Sequence, residues 1–82
     1  MRKSTFTPEY DVFCRLLRQI REEMGVSQNQ LAKRLEVPQG WLSKCENGQR
    51  RMDVLELWTI CEELGVAPEQ FMARLRQVLS EM

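Results

Sequence analysis

Apolar residues recur at intervals of three and four along this chain, in short stretches separated by turn signals. In the first stretch they are Phe13, Leu16, Leu17, Ile20 and Met24. This is the spacing of one face of an α-helix, and no strand-like alternation of any length accompanies it. Five such stretches follow one another with short turns between them. The sequence therefore predicts an all-α fold, a five-helix orthogonal bundle.

Capping and stop residues indicate where these helices begin and end. Ser27 with Gln30, and Asp53 with Glu56, have the spacing of a capping box at a helix start. A glycine such as Gly65 ends a helix readily because it adopts the left-handed conformation without strain. The predicted helices begin at Pro8, about Gln28, about Gln39, after Asp53 and at Pro68, and the second and third end at about Leu35 and Glu46.

The last two helices carry the longest apolar stripes of the chain. On the fourth helix the stripe consists of Val54, Leu57, Trp58, Cys61 and Leu64. On the fifth helix, about 68–80, it consists of Phe71, Met72, Leu75, Val78, Leu79 and Met82. The first of these stripes is the apolar side of the fourth helix, and the fifth helix carries more apolar length than capping this small core requires.

Composition excludes several classes of protein. Apolar residues make up 43% of the 82 residues and charged residues 29%, which is typical of one folded domain, here 1–82. The longest apolar run is two or three residues, too short to span a bilayer. The basic N-terminus has no apolar stretch behind it, as a signal peptide would require. We therefore expect a cytoplasmic protein that does not contact membranes.

The chain has no histidine, and its cysteines Cys14, Cys45 and Cys61 are widely spaced. A structural zinc site needs four Cys or His ligands in closely spaced pairs, so no metal and no other cofactor is expected. Without histidine, and without a glycine-rich phosphate loop, an enzyme is the least supported class. The cysteines are interpreted as small buried apolar residues in a reducing compartment.

Charge is distributed unevenly although the net charge is zero. Residues 1–51 contain ten Lys or Arg against six Asp or Glu, a balance of +4, and residues 52–82 contain two against six, a balance of −4. A chain with one basic and one acidic end can present a positive face to nucleic acid without a high pI.

The second and third helices, with a three-residue turn between them, form a candidate helix-turn-helix over about 28–47. From geometry alone, the alternative is an αα-corner that binds no ligand. Three runs around it carry a specific pattern: LRQIR at 17–21, SQNQLA at 27–32 and WLSKCENGQRR at 41–51. The chain resembles the Cro/repressor-type (Xre-like) helix-turn-helix family over roughly 13–72. This resemblance implies a bundle of the phage-repressor-like DNA-binding type. It also implies a bacterial or phage transcriptional regulator that binds double-stranded DNA sequence-specifically.

The third helix would be the recognition helix, which enters the major groove by its first turns. Gln39 at its start can pair with adenine through its amide, and Lys44 suits guanine or a phosphate. The predicted base-reading residues are Gln39, Gly40, Trp41, Ser43 and Lys44. Gly40 permits close approach and carries no side chain to read a base. Trp41 has two interpretations, partial burial against the second helix or contact with a thymine methyl or a sugar.

A second group of residues is predicted to bind the DNA backbone, which sets register without reading bases. It consists of Ser27, Gln28, Asn47, Arg50 and Arg51. Gln28 lies at a helix N-terminus, where backbone N–H groups attract phosphate, and the resemblance implies that its side chain also braces Gln39. For Arg50 and Arg51 the alternative is a solvated basic loop.

The resemblance further implies a partly buried ion pair between Arg21 and Glu46 that joins the first helix to the third, a structural role. The alternative for either residue is a lone surface charge. Two residues depart from the family pattern. Glu36 occupies a turn position where glycine is frequent, and a left-handed backbone there costs roughly 1 kcal/mol for any other residue. Pro38 replaces the usual Ser or Thr cap and offers no capping oxygen, so the start of the third helix is predicted to within one residue.

The small size of the domain indicates how many copies are needed to bind DNA. One such domain makes few base contacts, so we expect a homodimer on a palindromic operator, held together by the fifth helix. The candidate dimer residues are Phe71, Leu75, Val78, Leu79 and Met82, with Phe71 shared with the core. No small-molecule ligand is expected, although a protein partner is compatible with the sequence. The alternative function is a protein-interaction module of the same fold, such as an antitoxin or anti-repressor component.

Overall fold

A computed structural model describes residues 7–82, and in this part of the chain every regular element is an α-helix. The helices are α1 (Pro8–Glu23), α2 (Gln28–Leu35), α3 (Gln39–Glu46), α4 (Val54–Leu64) and α5 (Pro68–Ser80). α2 packs on α3 and α4, α1 packs on α3 and α5, and α4 packs on α5. The predicted five-helix all-α bundle is confirmed. None of the helices in residues 7–82 is long and apolar enough to cross a membrane.

The helix starts depend on side-chain caps. Thr7 accepts a hydrogen bond from the N–H of Tyr10 at 3.2 Å, which caps α1. Capping boxes begin α2 at Ser27 and α4 at Asp53, as their sequences predict. In each box the N-cap oxygen accepts from the third helical N–H while that residue's side chain accepts from the N-cap N–H. The limits of these helices are therefore local properties of the sequence.

One continuous apolar core connects the five helices. Its fully buried members include Leu17, Leu31, Leu42, Ile60 and Phe71, one from each helix. The three cysteines are buried and unpaired. Burial raises the pKa of all three thiols, that of Cys14 to about 11, so they are neutral at physiological pH. Their packing therefore matches the sequence interpretation of small apolar residues.

The inner face of α4 differs from the prediction. Leu57, Ile60, Cys61 and Leu64 point into the core, and Ile60 was not among the predicted core residues. These four form a complete stripe of spacing three, four and seven, so they cover one helix face. The predicted stripe mixed this face with a second one. Five members of the predicted apolar stripes are instead exposed: Met24, Val54, Trp58, Met72 and Met82.

Candidate nucleic-acid interface

The turn between α2 and α3 is formed by residues 36–38. Glu36 is the C-cap of α2 and has φ 59°, so the left-handed backbone considered for this position is present on a non-glycine residue. Pro38 precedes α3 without a side-chain capping bond, and α3 nevertheless begins at Gln39 as predicted. Ala32 of α2 and Leu42 of α3 are buried where the two helices pack. A small residue at Ala32 allows the close approach.

A buried ion pair lies behind α3. Arg21 of α1 donates to both carboxylate oxygens of Glu46, from Nε at 2.6 Å and from Nη2 at 3.1 Å. The side chains are 7% and 1% exposed, a deeper burial than the partly buried pair that the resemblance implied. Arg21 Nη1 donates to the carbonyl oxygen of Val26 at 2.7 Å. A bidentate pair in which all three guanidinium nitrogens are hydrogen-bonded is the arrangement in which a buried charge pair is tolerated.

Two glutamines connect this pair to the protein surface. Gln28 donates from Nε2 to Oε1 of Glu46 at 2.9 Å, and Gln39 donates from Nε2 to Oε1 of Gln28 at 3.4 Å. The brace between Gln28 and Gln39 is therefore present. Gln39 itself is exposed at the first position of α3. The side-chain amide of Gln39 is therefore exposed, and its orientation is fixed by hydrogen bonds that lead through Gln28 to the buried Glu46.

The remaining predicted base-reading residues surround Gln39. Gly40 and Lys44 are exposed and Ser43 is half-buried. A Cβ placed on Gly40 would meet no atom within 4 Å, so the absence of a side chain leaves open surface beside Gln39. Ser43 accepts from Nδ2 of Asn47 at 3.4 Å, which joins a predicted base-reading residue to a predicted backbone anchor. The first turn of α3 thus presents polar groups on an uncrowded surface.

Trp41 is half-buried and packs against the apolar core, in agreement with the first of its two interpretations. Its outer face is covered by the guanidinium of Arg50, whose Cζ lies 4.6 Å from the ring centroid. The same guanidinium donates to Glu56 of α4 at 3.0 and 3.2 Å. Hydrogen bonds from Arg50, and next from the Asp53 backbone, hold the pKa of Glu56 below its usual value. The sequence interpretation identified Glu56 only as a capping residue.

Tyr10 anchors the basic loop that follows α3, and the sequence interpretation did not single it out. Its hydroxyl donates to the carbonyl oxygen of Arg50 at 3.2 Å and accepts from the N–H of Met52 at 2.9 Å. The guanidinium of Arg51 lies 4.9 Å from the ring centroid of Tyr10. Arg51 is exposed, whereas Arg50 is half-buried. The loop is therefore held by contacts from α1 that lie some forty residues away in sequence.

The predicted dimer residues of α5 are mostly turned inward. Phe71 is 0% exposed and cannot contact a second chain, because its ring packs in the core and edge-on against Phe13 of α1. Leu75, Val78 and Leu79 are half-buried, and Val78 lies beside Val12 and Leu16 of α1. Met82 is exposed. α5 therefore packs on α1 along its length, and its first turns also lie beside α4.

An apolar surface instead lies across α4 and α5. Its large exposed residues are Val54 (69%), Leu55 (73%), Trp58 (50%) and Met72 (49%). A groove of about 410 Å³ runs between the two helices, with Pro68 and Glu69 at its edge. We call these residues together the α4–α5 surface. Clustered apolar exposure of this kind marks interaction sites more often than isolated exposed residues do.

Comparison with known proteins places the chain among helix-turn-helix domains. A family model described as a helix-turn-helix domain matches residues 12–75. An XRE-family like protein from Pseudomonas syringae pv. tomato str. DC3000 is 36% identical over 85% of this chain and 85% of that chain, with a TM-score of 0.79. No match was found among curated proteins.

Two further solved structures share the fold at lower identity. The clp gene regulator ClgR from Corynebacterium glutamicum is 23% identical over 90% of this chain and 79% of that chain, with a TM-score of 0.79. A restriction-modification controller protein is 22% identical over 89% of this chain and 92% of that chain, with a TM-score of 0.81.

Proposed function

Because the chain belongs to the Xre-type helix-turn-helix family of DNA-binding transcriptional regulators, we propose that it recognises a palindromic operator in double-stranded DNA as a homodimer. The observation that carries this proposal is the fixed amide of Gln39. The contacts from Gln39 through Gln28 to the buried Glu46 hold a donor and an acceptor outward at the start of α3. A side chain ordered before binding loses less conformational entropy when it meets its target.

Base recognition would take place at the first turn of α3. The Gln39 amide offers one donor and one acceptor, the pair that adenine presents in reverse in the major groove. The open surface at Gly40 admits a base pair or sugar close to the helix. Lys44, one turn after Gly40 and also exposed, would bind guanine or a phosphate. Ser43 and the edge of Trp41 complete the proposed base-reading set.

Backbone contacts would come from both ends of the helix-turn-helix. Ser27 and Gln28 lie at the N-terminus of α2, whose first N–H groups and dipole favour a phosphate. Asn47 and Arg51 are exposed after α3 and supply a polar and a charged donor. Such contacts set the register of α3 on the duplex and carry no sequence information.

The homodimer would form through the α4–α5 surface. Glu69 and Arg76 lie two turns apart on α5, on the same side as Met72, and neither forms an ion pair within residues 7–82. If two α5 helices cross antiparallel beside Met72, Glu69 of one protomer lies opposite Arg76 of the other, and the reverse. This charge order is complementary to itself, as a two-fold interface requires, and it favours a second copy as the occupant.

Selection from a random duplex pool, followed by footprinting, tests the proposed function. The expected result is enrichment of a sequence with two symmetric half-sites about 34–36 Å apart, one helical turn. The Gln39→Ala variant is the matched control, because it removes the amide without changing the net charge. Enrichment of the same sequences by both proteins, or of none by either, would contradict the proposal.

A further inference from the structure

Arg50 is engaged on three sides in the DNA-free protein. Its guanidinium lies against the Trp41 ring, forms a bidentate pair with Glu56, and donates from Nη1 to the carbonyl oxygen of Arg51 at 3.2 Å. The Arg50 and Glu56 side chains are 37% and 28% exposed. The residue that sequence reasoning assigned to a phosphate is thus already bound to a carboxylate of its own chain.

Glu56 is itself held in place by the start of α4. Its Oε1 accepts from the N–H of Asp53 at 3.0 Å, and its own N–H donates to Asp53 at 2.8 Å. The carboxylate therefore has a fixed position, and Arg50 reaches it without displacing any cap. A phosphate that recruits Arg50 has to replace two charge-assisted hydrogen bonds and the Trp41 contact.

We propose that Glu56 competes with DNA phosphate for Arg50 and thereby limits the affinity of the protein for DNA of any sequence. This proposal rests on the proposed function above. Affinity for duplex DNA depends on the counterions that basic side chains release from phosphates. An arginine neutralised by an adjacent glutamate releases none. Because phosphate contacts read no bases, the competition weakens operator and random DNA alike.

The neighbourhood of the pair supports this interpretation. Lys44 is close by along the chain, since its carbonyl oxygen accepts from the N–H groups of Gln49 and Arg50 at 2.9 and 3.2 Å. The backbone of Arg50 therefore lies at the C-terminal end of the proposed recognition helix, and its guanidinium lies beside that helix against the ring of Trp41. One cation is held by Glu56 at the edge of the proposed DNA-binding face, and its release would add a contact there.

The test is a salt titration of duplex binding with the Glu56→Gln variant. Glutamine also completes a capping box, so α4 keeps its start. The matched control is Glu62→Gln, an exposed glutamate on the same helix with the same change in charge. We expect Glu56→Gln to bind operator and scrambled duplexes more tightly than Glu62→Gln by the same factor. The slope of log K against log salt should steepen by about 0.9, the value for one added phosphate contact.

A double variant assigns the effect to Arg50. Glu56→Gln combined with Arg50→Gln has the net charge of the wild type, and its slope should return to the wild-type value. Equal behaviour of Glu56→Gln and Glu62→Gln, or a gain that persists in the double variant, would overturn the proposal. If the wild type and all variants fail to bind any duplex, the proposed function itself fails, which distinguishes the two outcomes.

Discussion

The α2–α3 region and the α4–α5 region contain the same kind of helix end, built from different residues. α2 ends at Glu36 and α4 ends at Gly65, and both C-cap residues have a left-handed backbone, with φ 59° and 79°. In both regions the first helix begins with a capping box and the second helix has no side-chain cap. The two regions differ in what they bury, because a charged pair lies behind α3 whereas α4 buries only apolar residues.

The two regions also expose different kinds of side chain. The α2–α3 region exposes the polar and basic groups Gln39, Lys44 and Arg51, whereas the α4–α5 region exposes Trp58 and Met72. Each region departs from ordinary folding rules where it is proposed to meet a partner. Backbone strain at Glu36 and the buried pair of Arg21 and Glu46 lie behind the polar surface of the α2–α3 region. Exposed apolar side chains form the α4–α5 surface. Departures of this kind are expected at functional sites.

The largest expected effect comes from removing the buried charge pair. Arg21→Ala leaves Glu46 buried without its partner and should lower the free energy of unfolding by about 3 kcal/mol. The matched control on α5 is Arg74→Ala, which breaks a pair with Glu23 whose side chains are 41% and 47% exposed. That change should cost less than about 1 kcal/mol. Urea denaturation of both variants measures the difference, and equal losses would contradict the contrast between the regions.

Met72→Glu should break the homodimer without unfolding the protomer. The side chain is half exposed, so the protomer accommodates a carboxylate, whereas a dimer has to desolvate two of them. We expect the dimer to weaken by about 2 kcal/mol, roughly thirtyfold in the dissociation constant. Sedimentation equilibrium of the wild type and the variant measures this change.

Charge exchange at the ends of the α5 face provides the control for that experiment. Glu69→Arg and Arg76→Glu should each weaken self-association, and the double variant should restore it. Monomeric wild-type protein at tens of micromolar, or a double variant no better than either single one, would contradict a homodimer through the α4–α5 surface.

The smallest effect concerns the two left-handed C-caps. Glu36→Gly removes backbone strain and should raise the free energy of unfolding by about 0.5 to 1 kcal/mol, while Gly65→Ala should lower it by about 1 kcal/mol. Space is not the limiting factor at Gly65, since an added Cβ would meet only Met24 Cε at 3.9 Å. Thermal unfolding of both variants and of the wild type measures these changes in stability. A destabilised Glu36→Gly would mean that the glutamate side chain stabilises the turn more than its backbone strain costs.

Local signals in the sequence predicted the helices, because capping boxes and glycine stops act within four residues. Which side of α4 is buried could not be predicted from such local signals. Val54 and Trp58 belong to one apolar stripe and Ile60 to another, and only the packing of α2 and α5 decides which of them is buried. The resemblance to a known family supplied the pair of Arg21 and Glu46.

Neither the local sequence signals nor the family resemblance predicted the contacts between distant segments. Arg50 meets Glu56 because a loop folds back on α4, and Tyr10 meets the same loop from α1. No spacing rule connects residues that come together only through the tertiary fold. The sequence therefore identified the polar residues of the candidate interface, and the structure was needed to determine which of them are already engaged.

The central claim, that α3 reads bases through Gln39, is tested most directly by comparing Gln39→Ala with Arg51→Ala. Each variant is titrated with salt on an operator duplex and on a scrambled duplex. Gln39→Ala should lose about 1–3 kcal/mol on the operator and little on the scrambled duplex, with an unchanged salt slope. Arg51→Ala should weaken both duplexes alike and flatten the slope by about 0.9 per lost phosphate contact. Equal losses by both variants on both duplexes would contradict base reading by α3.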